Sequence, residues 1–268
     1  MREIELKVGE GAREITLLGQ IVNKYGQDLE GEASLASLLR FLDEKQVSPR
    51  LRFLTTHPRH FDEDFAVAMG ELPSVCEEIN LPIQAGDDLV LKRMGRGYNV
   101  DFFRSRIDLL RTHVPNVAVS TDVIVGFPGE THEQFNRTLD VLTEIEFDVV
   151  HVAAFSARVG TVAAKWPDDV SPEEKLDRLH EAEAVQETIA RDINSRLVGS
   201  LQEVLFEELR PSPVVGGRPR WAGRTRSSKL VFCESAADVE AGDIRDVEIV
   251  DATAWSLRGE VAASVAVA

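Results

Sequence analysis

Five short apolar runs rich in β-branched residues, at 14–19, 51–56, 79–84, 117–126 and 149–156, alternate with segments of helical period at 35–44, 62–72, 100–112 and 131–144. A chain patterned in this way is built of βα units. Its strands pair in parallel, because each helix carries the chain back across the sheet. Sheets of that kind receive ligands at the carboxyl ends of their strands. The residues that follow each run are therefore the candidates for a site: Gly19 and Gln20, then Thr55, Thr56, His57 and Pro58, then Gln84, Ala85 and Gly86, then Asp122 with the turn 126–130, and finally residues 156–161. Glycines at strand ends let a ligand approach the backbone, and Gln, Asp, Thr and Arg offer hydrogen bonds to a polar cofactor. His57 stands alone before Pro58, so its reading is structural. The six histidines show no HxH or HxxxH spacing, and no P-loop, GxGxxG or GxSxG motif occurs.

Beyond residue 156 the pattern changes. Ser171-Pro172-Glu173-Glu174 is a strong helix start, with a serine cap, proline in the first turn and acids at the positive end of the dipole; the helix runs to about Arg196. After Gly199 short β-like runs follow, LQEVLFEEL, KLVFCES and DVEIVDA, broken by PSPVVGGRPR. They predict a separate small β-barrel. The expected domains are 1–198 and 199–268.

The charge of the whole chain is −16, which argues against a general attraction to nucleic acid or anionic lipid and requires any polyanion site to be local. One such place exists: Arg210, Arg218, Arg220, Arg224, Arg226 and Lys229 occur with no acid between Arg210 and Cys233. Strand alternation would put Arg224 and Arg226 on one face, and Trp221 and Trp255 supply aromatic platforms, a combination suited to RNA phosphates and unstacked bases. The first ten residues hold no signal-peptide h-region and no run reaches the ~18 apolar residues of a membrane span, so the expectation is a cytoplasmic protein with no membrane partner. With two cysteines, Cys76 and Cys233, no disulfide framework or CxxC metal site can be read.

The segments EIT-LLGQIVNKYG, TTHPRH, LPIQAGDDLVLKRMGRGYN, STDVIVGFPGET, FSARVGT, GRTRSSKLVF and ATAWSLRGE resemble, in this order, the radical-SAM methylthiotransferases. The LGQ-x-V-N-x-YG and TTHP segments are most similar to the branch of tRNA-2-methylthio-N6-dimethylallyladenosine synthases. The resemblance implies an α/β fold, a partial (βα) barrel with five of its six strands, followed by a small all-β TRAM-like barrel that binds RNA. It implies S-adenosylmethionine and [4Fe–4S] clusters as cofactors, tRNA as partner, and addition of a methylthio group to the adenosine beside the anticodon. It also implies roles by position. Gly19 and Gln20 would bind the amino end of S-adenosylmethionine, and Gln84 and Asp122 its ribose and methionine parts. Ile124 to Gly126 would lie along its adenine, and Arg158 near the substrate sulfur, in a turn where Ala157 and Val159 replace the family's prolines. Arg224, Arg226, Lys229, Trp255 and Arg258 would contact RNA.

The family's CxxxCxxC strand and N-terminal cluster domain have no counterpart here, and Cys76 and Cys233 cannot build a cluster. The chain is thus expected to be the C-terminal portion of an enzyme, inactive alone and with the edge 14–19 left unpaired: a gene fragment, a truncated sequence, or half of a split protein whose partner is a separate N-terminal fragment carrying the clusters. Two alternatives are a non-catalytic RNA-binding protein that uses the TRAM-like barrel and a methylthiotransferase acting on a ribosomal protein. No catalytic residue and no metal ligand is assigned.

Overall fold

The computed structural model describes residues 1–29, 33–212, 217–234 and 239–262. Helix α1 (Arg2–Gly9) leads into β1 (Glu14–Leu17), followed by α2 (Leu35–Glu44), β2 (Arg50–Phe53), α3 (Glu63–Glu71), β3 (Glu78–Asn80), α4 (Asp88–Arg93), α5 (Val100–His113), β4 (Ala118–Val125), α6 (His132–Ile145) and β5 (Val149–Ala154). All five anticipated strands form, each shorter than its apolar run. The run outlasts the ladder because the last residues turn outward into the loops. The helices start where short polar side chains replace missing backbone partners. Asp62 accepts from Phe65 N, Asn99 from Phe102 N, and Thr131 and Gln134 cap each other reciprocally. A short helix not anticipated from the sequence, α4, is set by Asp87, whose carboxylate accepts from Leu89 N and Val90 N.

The strands pair in parallel in two ladders, β1–β2 and β3–β4–β5. A bridge between Leu51 and Val75 joins the ladders, with Leu51 N donating to Ser74 O at 2.7 Å and Cys76 N to Leu51 O at 3.0 Å. Strand β3 stops at Asn80 because Pro82 has no N–H to donate. The buried Thr121 hydroxyl bridges the gap, accepting from Ile83 N at 2.9 Å and donating to Leu81 O at 2.8 Å. Pairing resumes at Gln84, whose N–H donates to Asp122 O at 2.8 Å. The core beneath is apolar and closed, with Leu39, Leu51, Ile79, Leu81, Phe103 and Phe135 fully buried.

Helix α7 (Pro172–Ser195), capped by Ser171, crosses back along β5 to the second unit. There β6 (Leu201–Arg210), β7 (Arg220–Thr225), β8 (Leu230–Glu234), β9 (Ile244–Ala252) and β10 (Leu257–Val261) close into a barrel in the order β10–β8–β7–β6–β9 around Val204, Phe206, Val231, Val247 and Ile249. Closure is tight enough that a Cβ on Gly223 would stand 2.5 Å from Leu205 O. The fold is thus the expected partial parallel barrel followed by a small all-β barrel.

The two units are joined at the amino edge of the parallel sheet. Arg50, at 0% exposure, donates to Arg224 O at 2.9 Å, to Glu203 O at 3.0 Å and to the Glu203 carboxylate at 3.0 Å. Arg52 donates to Thr225 O and Arg226 O at 2.8 Å and to Glu78 at 2.7 Å, and its Nε lies 2.8 Å from Glu14. From the other side Arg226 reaches Glu77 and Val75 O, and Lys229 reaches Asp148 at 2.5 Å.

Arg52→Ala leaves Glu78 and two carbonyls without their cation and Glu14 with Arg50 at 3.8 Å, and removal of one partner from a buried ion pair costs roughly 3–5 kcal/mol. Urea unfolding should show a loss of that size. A second expectation concerns β1, which among the described residues pairs only with β2 and is followed directly by Leu18 at 75% exposure. Free edges invite association. Light scattering should show concentration-dependent association that Leu18→Lys diminishes.

Candidate functional site

A cavity of about 830 Å³ opens at the carboxyl ends of β4 and β5. Its polar lining includes Gln84, Arg93, Arg96, Asp122, His151 and Arg158, with Ser156 and Thr161. Gln84 is placed by an unusual backbone: it sits at φ +78°, held between Asp122 O and Ile124 N by the resumed pairing of the strand. Its side-chain oxygen accepts from Arg96 Nη2 at 2.6 Å. Burial disfavours the charge of Arg96 and lowers its pKa; its Nε is buried without a partner. A donor of that kind awaits an acceptor. Asp122 accepts from Asn80 Nδ2 at 3.3 Å. The opposite wall is aromatic, with Phe127 edge-on to Phe155 at 5.1 Å and to Trp166 at 5.9 Å, and with Arg93 over the Trp166 ring at 5.6 Å.

The sequence-derived site residues separate into groups. Gln84, Asp122, Ile124 and Arg158 line this cavity together. Gly19 and Gln20 line a separate shallow cleft of about 400 Å³, after β1, with Lys24 and Tyr25. Gly126 is placed away from the cavity lining, where the chain meets α7. It takes φ +68°, a Cβ there would come within 2.3 Å of Lys175 Cγ, and its N–H donates to Glu130 at 2.6 Å. Glu130 in turn pairs with the buried Arg178 at 2.9 Å. The GFPGE turn thus anchors α7.

The basic residues of the small barrel also divide. Strand β7 ends at Thr225, so Arg226 falls in the turn instead of sharing a face with Arg224, and Arg226 and Lys229 spend their charge on Glu77 and Asp148. Arg224 stays half-exposed, 3.7 Å from Glu207. Trp255 is exposed beside His180 and Glu183 of α7. Arg258 lines a cleft of about 460 Å³ with Arg218, Arg220 and Phe232, where the Arg220 guanidinium stacks 3.7 Å from the Phe232 centroid.

Sequence reasoning missed Arg96, whose signal was its position between Gly95 and Gly97, both at φ +72°. It also passed over the surroundings of His57. Asn23 fixes the His57 backbone with two 3.0 Å hydrogen bonds, and the ring lies 5.6 Å from Tyr98 and 5.7 Å from His60. Tyr98, its hydroxyl shared between Pro82 O and Ile83 O, is pushed up to about 12 by burial.

Comparison with known proteins decides what this arrangement belongs to. Residues 1–142 match the Radical SAM superfamily, and residues 195–262 match the TRAM domain. The chain belongs to the radical SAM superfamily. It is 44% identical to a tRNA-2-methylthio-N(6)-dimethylallyladenosine synthase of Herpetosiphon aurantiacus over 97% of this chain and 58% of that protein. Synthases of the same name from Chloroflexus aurantiacus and a Roseiflexus species are 43% and 46% identical, over 97% and 96% of this chain and 55% and 53% of theirs. The chain thus spans a little over half the length of these relatives. The resemblance read from its motifs holds across both units.

Superfamily membership brings S-adenosylmethionine and an iron–sulfur cluster into question. The two cysteines do not fit a cluster: both are buried, one in each unit, and desolvation pushes their thiols up to about 11 at Cys76 and about 12 at Cys233. The residues around the cavity do fit S-adenosylmethionine, since Arg96 offers an unpartnered donor, Asp122 a carboxylate, and the aromatic wall an apolar surface. No helix among the described residues is long and apolar enough to cross a membrane.

His57 is held neutral down to about 4, chiefly by burial and then by His60, Arg96, Arg59 and Lys24. In the unfolded chain it takes a proton near 6.5, so between the two values the unfolded state binds more protons. The stability it confers is complete above 6.5 and is lost as pH falls toward 4. Histidine NMR should show an unprotonated ring at pH 5, and His57→Asn should flatten the decline of unfolding free energy between pH 6.5 and 5.

Proposed function

We propose that this chain supplies the S-adenosylmethionine pocket and the RNA-contacting barrel of a cytoplasmic tRNA methylthiotransferase acting on the adenosine beside the anticodon. The observation that carries the reading is the Gln84–Arg96 pair at 2.6 Å, with a buried unpartnered guanidinium nitrogen, on a cavity at the carboxyl edge of a radical-SAM sheet. The relatives' names supply the substrate. The cluster thiolates would come from residues this sequence does not contain, carried on a separate fragment or elsewhere in the same assembly.

When bound, S-adenosylmethionine supplies the reactive sulfonium; this chain's residues bind and orient it. Arg96 takes the methionine carboxylate, because a desolvated guanidinium favours an anion over a neutral acceptor. Gln84 gives its oxygen to Arg96, which leaves its amide nitrogen to donate to the ligand. Asp122 faces the positively charged and hydroxyl-bearing parts. Phe127, Phe155 and Trp166 exclude water from one side. By the family resemblance Gly19 and Gln20 would hold the ligand's amino end and Ile124 would contact its adenine, while Gly126 secures its loop and Arg158 lines the cavity. On the small barrel the RNA face is Arg258, Arg218 and Arg220 with the Phe232 platform, extended by Arg224 and Trp255, while Arg226 and Lys229 dock the barrel, whose boundary we draw near residue 198.

Calorimetry on the full chain should detect S-adenosylmethionine binding, and Arg96→Ala should weaken it by about ten-fold or more, the worth of a charge-assisted hydrogen bond of ~1.5–3 kcal/mol. Co-expression with the part of the Herpetosiphon relative that this chain does not cover should then add a methylthio mass to a tRNA adenosine. Absence of binding together with absence of that mass would overturn the reading, and a methylthio mass on a ribosomal protein would redirect it.

A further inference from the structure

The chain carries a net charge of −16, and most of its arginines are matched to carboxylates. The loops beside the cavity break that pattern. Lys24 ends the short 3₁₀ turn Val22–Lys24, and Arg59 lies in the turn Pro58–His60. Among the described residues neither makes an ion pair, and neither does Arg96. Contacts connect them into one strip. Gln27 Nε2 lies 3.3 Å from His60 Nδ1, and the His60, His57 and Tyr98 rings follow at 5.7 and 5.6 Å. Arg59 lies across Gly97, where a Cβ would stand 2.8 Å from its Nη1, and the adjoining Arg96 reaches Gln84 at the cavity.

Lys24 and Arg59 are exposed, while His57 is half-buried and held by Asn23. Both histidines have pKa values lowered by burial and by these same cations, so they stay uncharged at neutral pH and present imidazole faces. Solvent-facing cations without partners, beside neutral rings fixed in place, match a single-stranded polyanion with flat bases. Phosphates take the charges and an unstacked base takes a ring. A small anion would use the charges and leave the rings idle.

We propose that the rim formed by Lys24, Arg59, His57 and His60 holds the RNA strand that flanks the base entering the cavity, with Lys24 and Arg59 on its phosphates. This rests on the reading that the chain acts on tRNA. It adds a second RNA contact, at the carboxyl edge of the sheet, to that of the small barrel at the amino edge. The small barrel then selects the molecule, and the rim sets which nucleotide reaches the cavity.

The test is fluorescence anisotropy of the full chain with an anticodon stem-loop RNA from 50 to 200 mM salt, comparing wild type with Lys24→Ala, Arg59→Ala and with Arg258→Ala. Each lost phosphate contact on a single strand lowers the logarithmic salt slope by about 0.7, so the double variant should lose about 1.4. As a measurement that needs no variant, acetylation footprinting of the wild-type chain should show Lys24 protected by RNA and Lys45 not. An unchanged slope with Lys24 unprotected, while Arg258→Ala weakens binding, overturns the rim and leaves the tRNA reading standing. Absence of any salt-dependent RNA binding by the wild type overturns both.

Discussion

Two guanidinium groups on a four-residue strand hold the halves of this protein in register. Arg50 and Arg52 between them engage the carboxylates of Glu14, Glu78 and Glu203 and the carbonyls of Glu203, Arg224, Thr225 and Arg226. A buried cation tolerates little displacement, because any partner it loses leaves an uncompensated charge in a poorly solvated place. The small barrel is therefore fixed beneath the amino edge of the sheet. Asn194 of α7 adds two hydrogen bonds from the far side, to Thr253 O and Ala254 O.

That fixation separates two tasks. The amino edge is where charges neutralise one another: Arg226 with Glu77, Lys229 with Asp148, Arg52 with Glu78. At the carboxyl edge some charges are matched as well, Glu130 with Arg178 and Asp87 with Arg137, but three cations there are not. Arg96 keeps a bare Nε, and Lys24 and Arg59 face solvent without carboxylates among the described residues. A strongly acidic protein concentrates anion attraction where cations go unmatched, and Lys24, Arg59 and Arg96 form one such group. The GFPGE turn supports the arrangement from below, since Gly126, Glu130 and Arg178 tie α7 to the loop that borders the cavity.

How much of this was legible in the chain depends on the range of each interaction. The five strands, the main helices and the break after Gly199 follow from periodicity and turn chemistry, which act over a few residues and are written in order. Gln84 was legible for the same reason: it ends an apolar run, and in a parallel sheet that assigns it to the carboxyl edge, whereas Asp122 lies inside its strand, where the rule does not reach. Strands β7 and β10 were absorbed into motifs, because RWAGRT and LRGEV are too short and too polar to announce themselves.

The roles of cations were not legible, because a charge in a sequence does not name its partner. GRTRSSK reads as one basic patch, yet Arg224 faces outward while Arg226 turns inward to Glu77, 149 positions away. Gly126 reads as a place for ligand approach, yet its missing Cβ makes room for Lys175. Arg96 was hidden in a helix-terminal GRGY until Gln84, 12 residues earlier, was seen to accept from it. The sequence by itself determined the order of strands, the parallel sheet, the second barrel and the edge at which a ligand would bind. The tertiary structure alone decided which cations are paired and which are free, because that choice is made by desolvation and by carboxylates brought close only when the chain folds.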